Sequence, residues 1–211
     1  ATTPFDDVDG NGAISPGDTL KYRVTLRNGD AVAYDLLYND TLDPNSTLVA
    51  GSVTCDRPCS VTQGNTGGDT AVGVSLAGLA AGDAVTLDYA ATVNALLPFR
   101  LAALTNQGHA ASANAPALAT DDPATADDGD ATVLTLAMGS LRGVVWSDDG
   151  DGNRANGEPA IPAVAVTLYY TDANDQVQSA NTNTDAGGAY TFTLLAAGKY
   201  ELGFALSEGF A

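Results

Sequence analysis

Short runs of alternating apolar and polar residues recur along nearly the whole chain, each bounded by Gly, Pro, Asn or Asp. This period of two predicts strands, and helical periodicity is nearly absent. In TLKYRVTLRN, Leu20, Tyr22, Val24 and Leu26 share one face, while Lys21, Arg23 and Arg27 fall on the other. Residues 35–38, 47–53, 72–76, 84–93, 101–113 and 131–136 read as further strands. Seven or so strands within residues 1–137 fit one immunoglobulin-like sandwich. A second series, at 140–146, 164–170, 176–182, 189–194 and 199–204, predicts a smaller sandwich over residues 138–211. The expected fold is therefore all-β, with two tandem Ig-like β-sandwich domains. No Pro/Ser-rich linker separates them near 137–139, so the modules are expected to be held close.

Composition narrows the partners. The formal net charge is −18, and all but Glu158, Glu201 and Glu208 of the 26 acidic residues are Asp. That bias disfavours helices and places acid in turns, where Asp ligates cations or caps backbone amides. With only eight Lys and Arg, scattered singly, nucleic acid and anionic membrane surfaces are not expected partners. No apolar run approaches the ~20 residues that span a bilayer, so membrane insertion is not expected, and no signal-peptide pattern precedes Ala1. The sequence reads as a mature or excised segment.

The candidate chemistry lies in two twelve-residue stretches, DVDGNGAISPGD at 7–18 and SDDGDGNRANGE at 147–158. A calcium loop wants oxygen ligands at positions 1, 3, 5, 7 (through a carbonyl), 9 and 12, with Gly at 6 for the turn. In the first stretch Asp7, Asp9 and Asn11 supply side-chain oxygens, Gly12 turns, Ala13 offers its carbonyl, Ser15 takes position 9 and Asp18 closes the shell. In the second, Asp149, Asp151, Gly152, the Asn153 carbonyl and Glu158 take positions 3, 5, 6, 7 and 12. Position 1 there is Ser147, which predicts weaker binding unless Asp148 reaches in. Asp, Asn and Gly are also simply what turns are made of. Two copies at full spacing, each before a strand-like run, favour Ca2+ at both. A third calcium position in TDDPATADDGD, near Asp121–Asp130, is weighed against a solvated acidic loop, and the solvated loop is preferred.

Cys55 and Cys59 are the only cysteines, and a local disulfide across the intervening turn is expected; metal binding there would need more ligands. A disulfide and millimolar-type calcium loops together imply an oxidising, extracellular or cell-surface setting.

Residues 5–136 resemble the conserved-repeat domain of unknown function of prokaryotic surface proteins. The resemblance rests on the first loop followed by SPGDTLKYRVTLRN, on YNDTLDPNSTLVAGSV, on LTNQGHAAS and on the DDPATADDGDATV ending. From Gly139 onward, GSLRGVVW, the loop ending GEPAIPAVAVTL, and TDAGGAYTFTLLAAGKYELGF resemble the B-type repeats of serine-aspartate-repeat adhesins, with a transthyretin-like sandwich. That resemblance implies calcium at Asp149, Asp151, Asn153 and Glu158, and a stalk role. By the same pattern another strand should follow FALSEGF, so the second sandwich is expected to lack its last strand. A neighbouring copy could supply it, with the N-terminal ATTPF segment as donor. Related sandwiches also lock themselves with a Lys–Asn isopeptide bond. Lys21 and Asn106 are conceivable partners, but the strand alternation turns Lys21 outward and the bond is not expected.

Catalysis is not expected: His109 is the only histidine and lies in a strand-like run, and the Asp residues fall in turn contexts. The leading reading is a calcium-rigidified structural module of a secreted or cell-surface protein: stalk, adhesin segment, or subunit of an extracellular filament or lattice. Its expected contacts are other copies or neighbouring domains of the same protein. The alternative is a ligand-binding module recognising a glycan or host protein, for which exposure of Tyr34, Tyr38, Tyr169, Tyr170 and Phe210 is the relevant observation.

Overall fold

The computed structural model describes residues 5–29, 31–154, 157–172 and 175–205. Among these residues there are strands and no α-helix, hence none long and apolar enough to cross a membrane. The chain forms two compact units, one of residues 1–95 and 103–136, the other of 96–102 and 137–211. The all-β tandem sandwich expected from the alternation is the observed fold class.

The first unit contains β1 (Phe5–Asp6), β2 (Thr19–Arg27), β3 (Ala33–Thr41), β4 (Ser46–Leu48), β5 (Thr54–Cys55), β6 (Ser60–Gln63), β7 (Ala71–Leu79), β8 (Ala84–Val93), β9 (Ala103–Asn106), β10 (Gly108–Ser112), β11 (Ala115–Ala119) and β12 (Thr132–Thr135). One sheet runs β1-β2-β8-β4, with β5 also on β8; a second runs β11-β10-β3-β7-β6; β9 and β12 pair separately. β8 illustrates the sequence logic: Val85, Leu87, Tyr89, Ala91 and Val93 are buried and every intervening side chain is partly exposed. Leu20 and Tyr22 of β2 join them. Leu36 and Tyr38 of β3 and Val72, Val74 and Leu76 of β7 supply the second sheet's share of the core.

Two expected strands differ. Of residues 47–53 only 47 and 48 are strand, the end of β4; the rest is a turn with Gly51 at φ 82°, and β5 begins just beyond it at Thr54. The run 101–113 breaks at Gln107: β9 pairs with β12, whereas β10 pairs with β3 and β11. The Gln107 amide donates to the Thr120 and Gly129 carbonyls at 3.2 and 2.7 Å, which ties the break to the acidic loop. The alternation carried no sign of β6 or β11, both short and largely exposed edge strands.

The second unit contains β13 (Gly139–Val144), β14 (Ala165–Thr171), β15 (Val177–Asn183), β16 (Ala189–Leu195) and β17 (Tyr200–Ala205), in sheets β13-β16 and β15-β14-β17. Val166, Leu168, Phe192 and Leu195 form its core, with Phe99, Leu141, Ala180, Tyr190, Tyr200 and Leu202 packed against them. Segment 96–102 thus belongs here: the buried Tyr170 ring lies between Phe99 and Tyr200, and its hydroxyl donates to the Leu97 carbonyl. The expected missing strand concerns the stretch beyond Ala205, which lies outside the described residues, as do residues 1–4 of the expected donor segment.

Candidate metal centre

The first acidic loop is the connection of a hairpin. β1 and β2 are antiparallel with Asp6 opposite Thr19, so residues 7–18 are the whole turn between paired strands. Carboxylate oxygens of Asp7, Asp9 and Asp18, from both ends of that turn, lie within 4.8 Å of one another. Local hydrogen bonds explain the convergence. Asp7 accepts from the amides of Gly10, Asn11 and Gly12 at 2.8, 3.2 and 2.7 Å. Gly12, at φ 77°, occupies the position where a side chain would be strained. Those amides, Gly12 first, hold the Asp7 carboxyl below its ordinary value, against the opposing pull of desolvation. Asp9 accepts from the Asn11 amide, the Asn11 carboxamide and the Ser15 hydroxyl, and the Asn11 side-chain oxygen accepts from the Ala13 amide. Asp18 is fully buried, accepting from the Val8 amide on one oxygen and from the Ser15 amide and hydroxyl on the other. Ile14 bridges to Leu136, fixing the loop to the end of β12.

The second loop has the same construction. Trp146 bridges antiparallel to Ala160 and the Ser147 amide donates to the Pro159 carbonyl at 2.9 Å, so residues 147–158 again join paired backbone. Here the converging carboxylates are Asp148, Asp149, Asp151 and Glu158. Asp148 supplies the carboxylate that Ser147 lacks. The Asp149 amide donates to Glu158 at 2.9 Å, tying position 3 to position 12 across the turn, and the Asn153 amide donates to Asp151 at 2.7 Å.

Both donor sets are oxygen throughout and bring several carboxylates within reach of one centre, which fits a hard cation and not a soft one. The third acidic stretch is built differently and is not a converging carboxylate group among the described residues. Asp121 accepts from the Gly129 amide, Asp122 from the Ala124 amide, and Asp130 from the Asp122 amide and the Thr125 hydroxyl. These carboxylates act as caps for the loop's own backbone.

The other expected positions are also placed. Cys55 and Cys59 form a disulfide with Cα atoms 6.4 Å apart. Lys21 is half exposed and ion-paired with Asp6, outside the core as its alternation requires. His109 is exposed on β10. Of the aromatics proposed for ligand contact, Tyr38 and Tyr170 are core, Tyr34 and Tyr169 are exposed, and Phe210 lies outside the described residues.

One polar cluster escaped the sequence reading. Asp40, only 2% exposed, accepts on one carboxylate oxygen from Tyr38 at 3.0 Å, from Asn106 at 2.7 Å and from Tyr89. The hydroxyls of Tyr38 and Tyr89 are 3.1 Å apart, and Tyr22 stacks on Tyr89 at 5.1 Å. Burial raises the hydroxyl pKa of Tyr22, Tyr38 and Tyr89 well above the ordinary tyrosine value, and the Asp40 charge adds to it. The signal was present in YDLLYNDTL, where Asp40 falls in phase with the core residues Leu36 and Tyr38.

Against known proteins, residues 139–211 match the family described as SdrD B-like domain. No curated protein matches the chain. Among solved structures it is similar to the major pilin BcpA (D312A) of Bacillus cereus, with 11% identity over 96% of this chain and 58% of that one and a TM-score of 0.44. It is similar to domains D2 and D3 of the major pilin SpaD of Corynebacterium diphtheriae, with 14% identity, 91% and 78% coverage and a TM-score of 0.43. A third likeness, to the Corynebacterium diphtheriae major pilin SpaA, has 17% identity, 99% and 61% coverage and a TM-score of 0.43. The chain spans less than two thirds of BcpA and SpaA, and none of these scores reaches 0.5, too low to transfer anything from a pilin to this chain.

Proposed function

We propose that this chain is a calcium-rigidified structural module of a secreted or cell-surface protein, serving as stalk, adhesin segment or assembly subunit. The observation that carries the reading is the shared design of the two acidic loops. Each joins antiparallel backbone through twelve residues and gathers carboxylates from both of its ends, 7 with 18 and 148 with 158. A cation bound there staples a hairpin shut and removes the freedom of a long turn. Asp7, Asp9, Asn11, the Ala13 carbonyl and Asp18 hold the first ion. Asp148, Asp149, Asp151, the Asn153 carbonyl and Glu158 hold the second, with Ser147 outside the carboxylate set. The match of residues 139–211 to the SdrD B-like family supports a surface-protein role for the second unit. The Cys55–Cys59 disulfide agrees with an oxidising compartment.

The function follows from linkage: an ion bound only by the folded state stabilises it by RT ln(1 + [Ca]/Kd), about 1–3 kcal/mol per site for affinities ten- to a hundredfold below the ambient concentration. Thermal unfolding with millimolar calcium and after chelation tests this. The midpoint should fall on chelation, and Asp9→Ala should abolish the share due to the first loop. A midpoint indifferent to chelation sinks the proposal.

A further inference from the structure

The chain of the first unit is interrupted once: after Ala95 it passes into the second unit, and it returns at Ala103. Both ends of this excursion are fixed in the first unit. The Asn94 amide, just beyond β8, donates to the Asn45 carbonyl at 2.9 Å, and Ala103 opens β9 opposite Thr135. Residues 96–102 themselves belong to no strand. What holds them is the second unit: Leu97 is fully buried and its carbonyl accepts from the Tyr170 hydroxyl, while the Phe99 ring packs on Tyr170 at 6.0 Å. This strap also contains a tight turn. The Leu101 amide donates to the Pro98 carbonyl at 3.1 Å, and Arg100 inside that turn stands at φ 63°, a conformation that a residue with a side chain keeps only where its surroundings impose it. Its guanidinium carbon lies over the Phe99 ring, 5.1 Å from the centroid.

Arg100 is exposed, and it is the only Lys or Arg between Arg57 and Arg142. Exposed basic residues in irregular backbone are what trypsin-like endoproteases cut, but the enzyme must draw the chain out extended around the bond. Here the bond after Arg100 lies in a turn whose φ is opposite in sign to extended backbone, three residues from a fully buried leucine. Docked, the strap is a poor substrate. Undocked, it is a short loop between two anchored strands, with Arg100 beside its centre and able to relax to the extended region. We infer that the Arg100–Leu101 bond is a cleavage site for a trypsin-like endoprotease, opened when the second unit releases the strap. Hydrolysis adds water across that peptide bond, leaving a carboxylate on Arg100 and an amine on Leu101, and the residues that pack on Tyr170 are then tethered at one end only. The link to calcium rests on the proposed function: loss of the ion at the second loop loosens the second unit and so exposes the bond.

Limited trypsin digestion of the full chain, with cleavage after Arg100 followed by mass, tests this. At low protease the rate follows the population of the open form. Val166→Ala, in the second core and far from Arg100 in sequence, should raise the rate at least about tenfold, whereas Val85→Ala, in the first core and much nearer in the chain, should leave it within about twofold of wild type. Tyr170→Phe, which removes only the bond to the Leu97 carbonyl, should raise it by a smaller factor. Arg23 and Arg27, inside β2, should stay uncut throughout, which shows that the first unit remains folded even where Val166→Ala unfolds the second. Equal rates after Arg100 in wild type, Val166→Ala and Tyr170→Phe, including no cleavage in any of them, overturn the inference, as does a rise with Val85→Ala as large as with Val166→Ala. Chelation should raise the wild-type rate about five- to a hundredfold. If chelation changes nothing while Val166→Ala accelerates cleavage, the strap stands and calcium at the second loop falls.

Discussion

Gly108→Ala is the sharpest probe of how the first core is assembled. A Cβ at Gly108 would lie 2.2 Å from the Tyr38 hydroxyl oxygen, 2.6 Å from Cζ and 2.7 Å from Cε2. Ordinary carbon contacts begin near 3.5 Å, so the ring must retreat by about 1 Å. It has nowhere to go without loss: Tyr38 is fully buried and its hydroxyl donates to Asp40 at 3.0 Å. Overpacking costs about 1–3 kcal/mol, and a weakened hydrogen bond to a buried carboxylate about 1.5–3 kcal/mol more. The sum, about 2.5–6 kcal/mol, corresponds to a fall in melting temperature of roughly 10–20 °C for a unit of this size. Denaturant unfolding of the wild type, Gly108→Ala, Tyr38→Phe and the double variant gives the coupling. The double variant should cost less than the two singles added, because Tyr38→Phe removes the atom nearest the new methyl. Gly67→Ala, where a Cβ meets nothing within 4 Å, is the matched control and should stay within about 0.5 kcal/mol of wild type. A Gly108→Ala cost under about 1 kcal/mol, or strict additivity in the cycle, would refute the claim that Asp40 and Tyr89 hold Tyr38 in place.

Three further outcomes are expected. Burial raises the pKa of Tyr22, Tyr38 and Tyr89, so the stability they contribute is intact below pH ~10 and lost as pH rises above it, at up to ~1.4 kcal/mol per pH unit for each group. Absorbance titration should therefore show tyrosinate appearing together with alkaline unfolding, and free titration of all tyrosines near pH 10 in a folded protein contradicts the cluster. Cys55→Ser with Cys59→Ser should cost about 2 kcal/mol, the loop-entropy value for so short a ring, by denaturant midpoint. Asp148→Asn should weaken calcium binding at the second loop more than Ser147→Ala does, since the Asp148 carboxylate lies in the converging group; calorimetric titration showing the reverse ranking removes Asp148 from the site.

The alternation made the strands legible where one face is buried against the core, as in β2 and β8, because there the physics is local: a side chain's neighbours two residues away share its environment. It failed where the environment is set from elsewhere. Leu97 and Phe99 belong to the second unit although they lie between β8 and β9 of the first, and nothing in their own neighbourhood says so. The break at Gln107 depends on carbonyls at 120 and 129, more than ten residues away. The grouping of carboxylates within each acidic loop could be anticipated because their spacing along one turn is a short-range property, whereas the presence of Asp148 in the second group needed geometry.

The two loops should not matter equally. Among the described residues the second unit buries eight apolar side chains, Leu97, Val164, Val166, Leu168, Tyr170, Phe192, Leu195 and Ala196. The first has two multi-stranded sheets, a disulfide and a far longer roster of buried side chains. Small cores leave only a few kcal/mol of net stability, so a linkage term of about 1–3 kcal/mol is a large fraction of the second unit's total and a small fraction of the first's. Chelation should therefore pull the second unit's unfolding to lower temperature and split one calorimetric transition into two, with Trp146 fluorescence following the lower one, because Trp146 stands at the mouth of the second loop. Asp149→Ala should reproduce that split in the presence of calcium, whereas Asp9→Ala should shift the upper transition alone. If the transition reported by Trp146 is the later to melt after chelation, the second unit draws its stability from packing rather than from the ion, and calcium stapling fails for that loop.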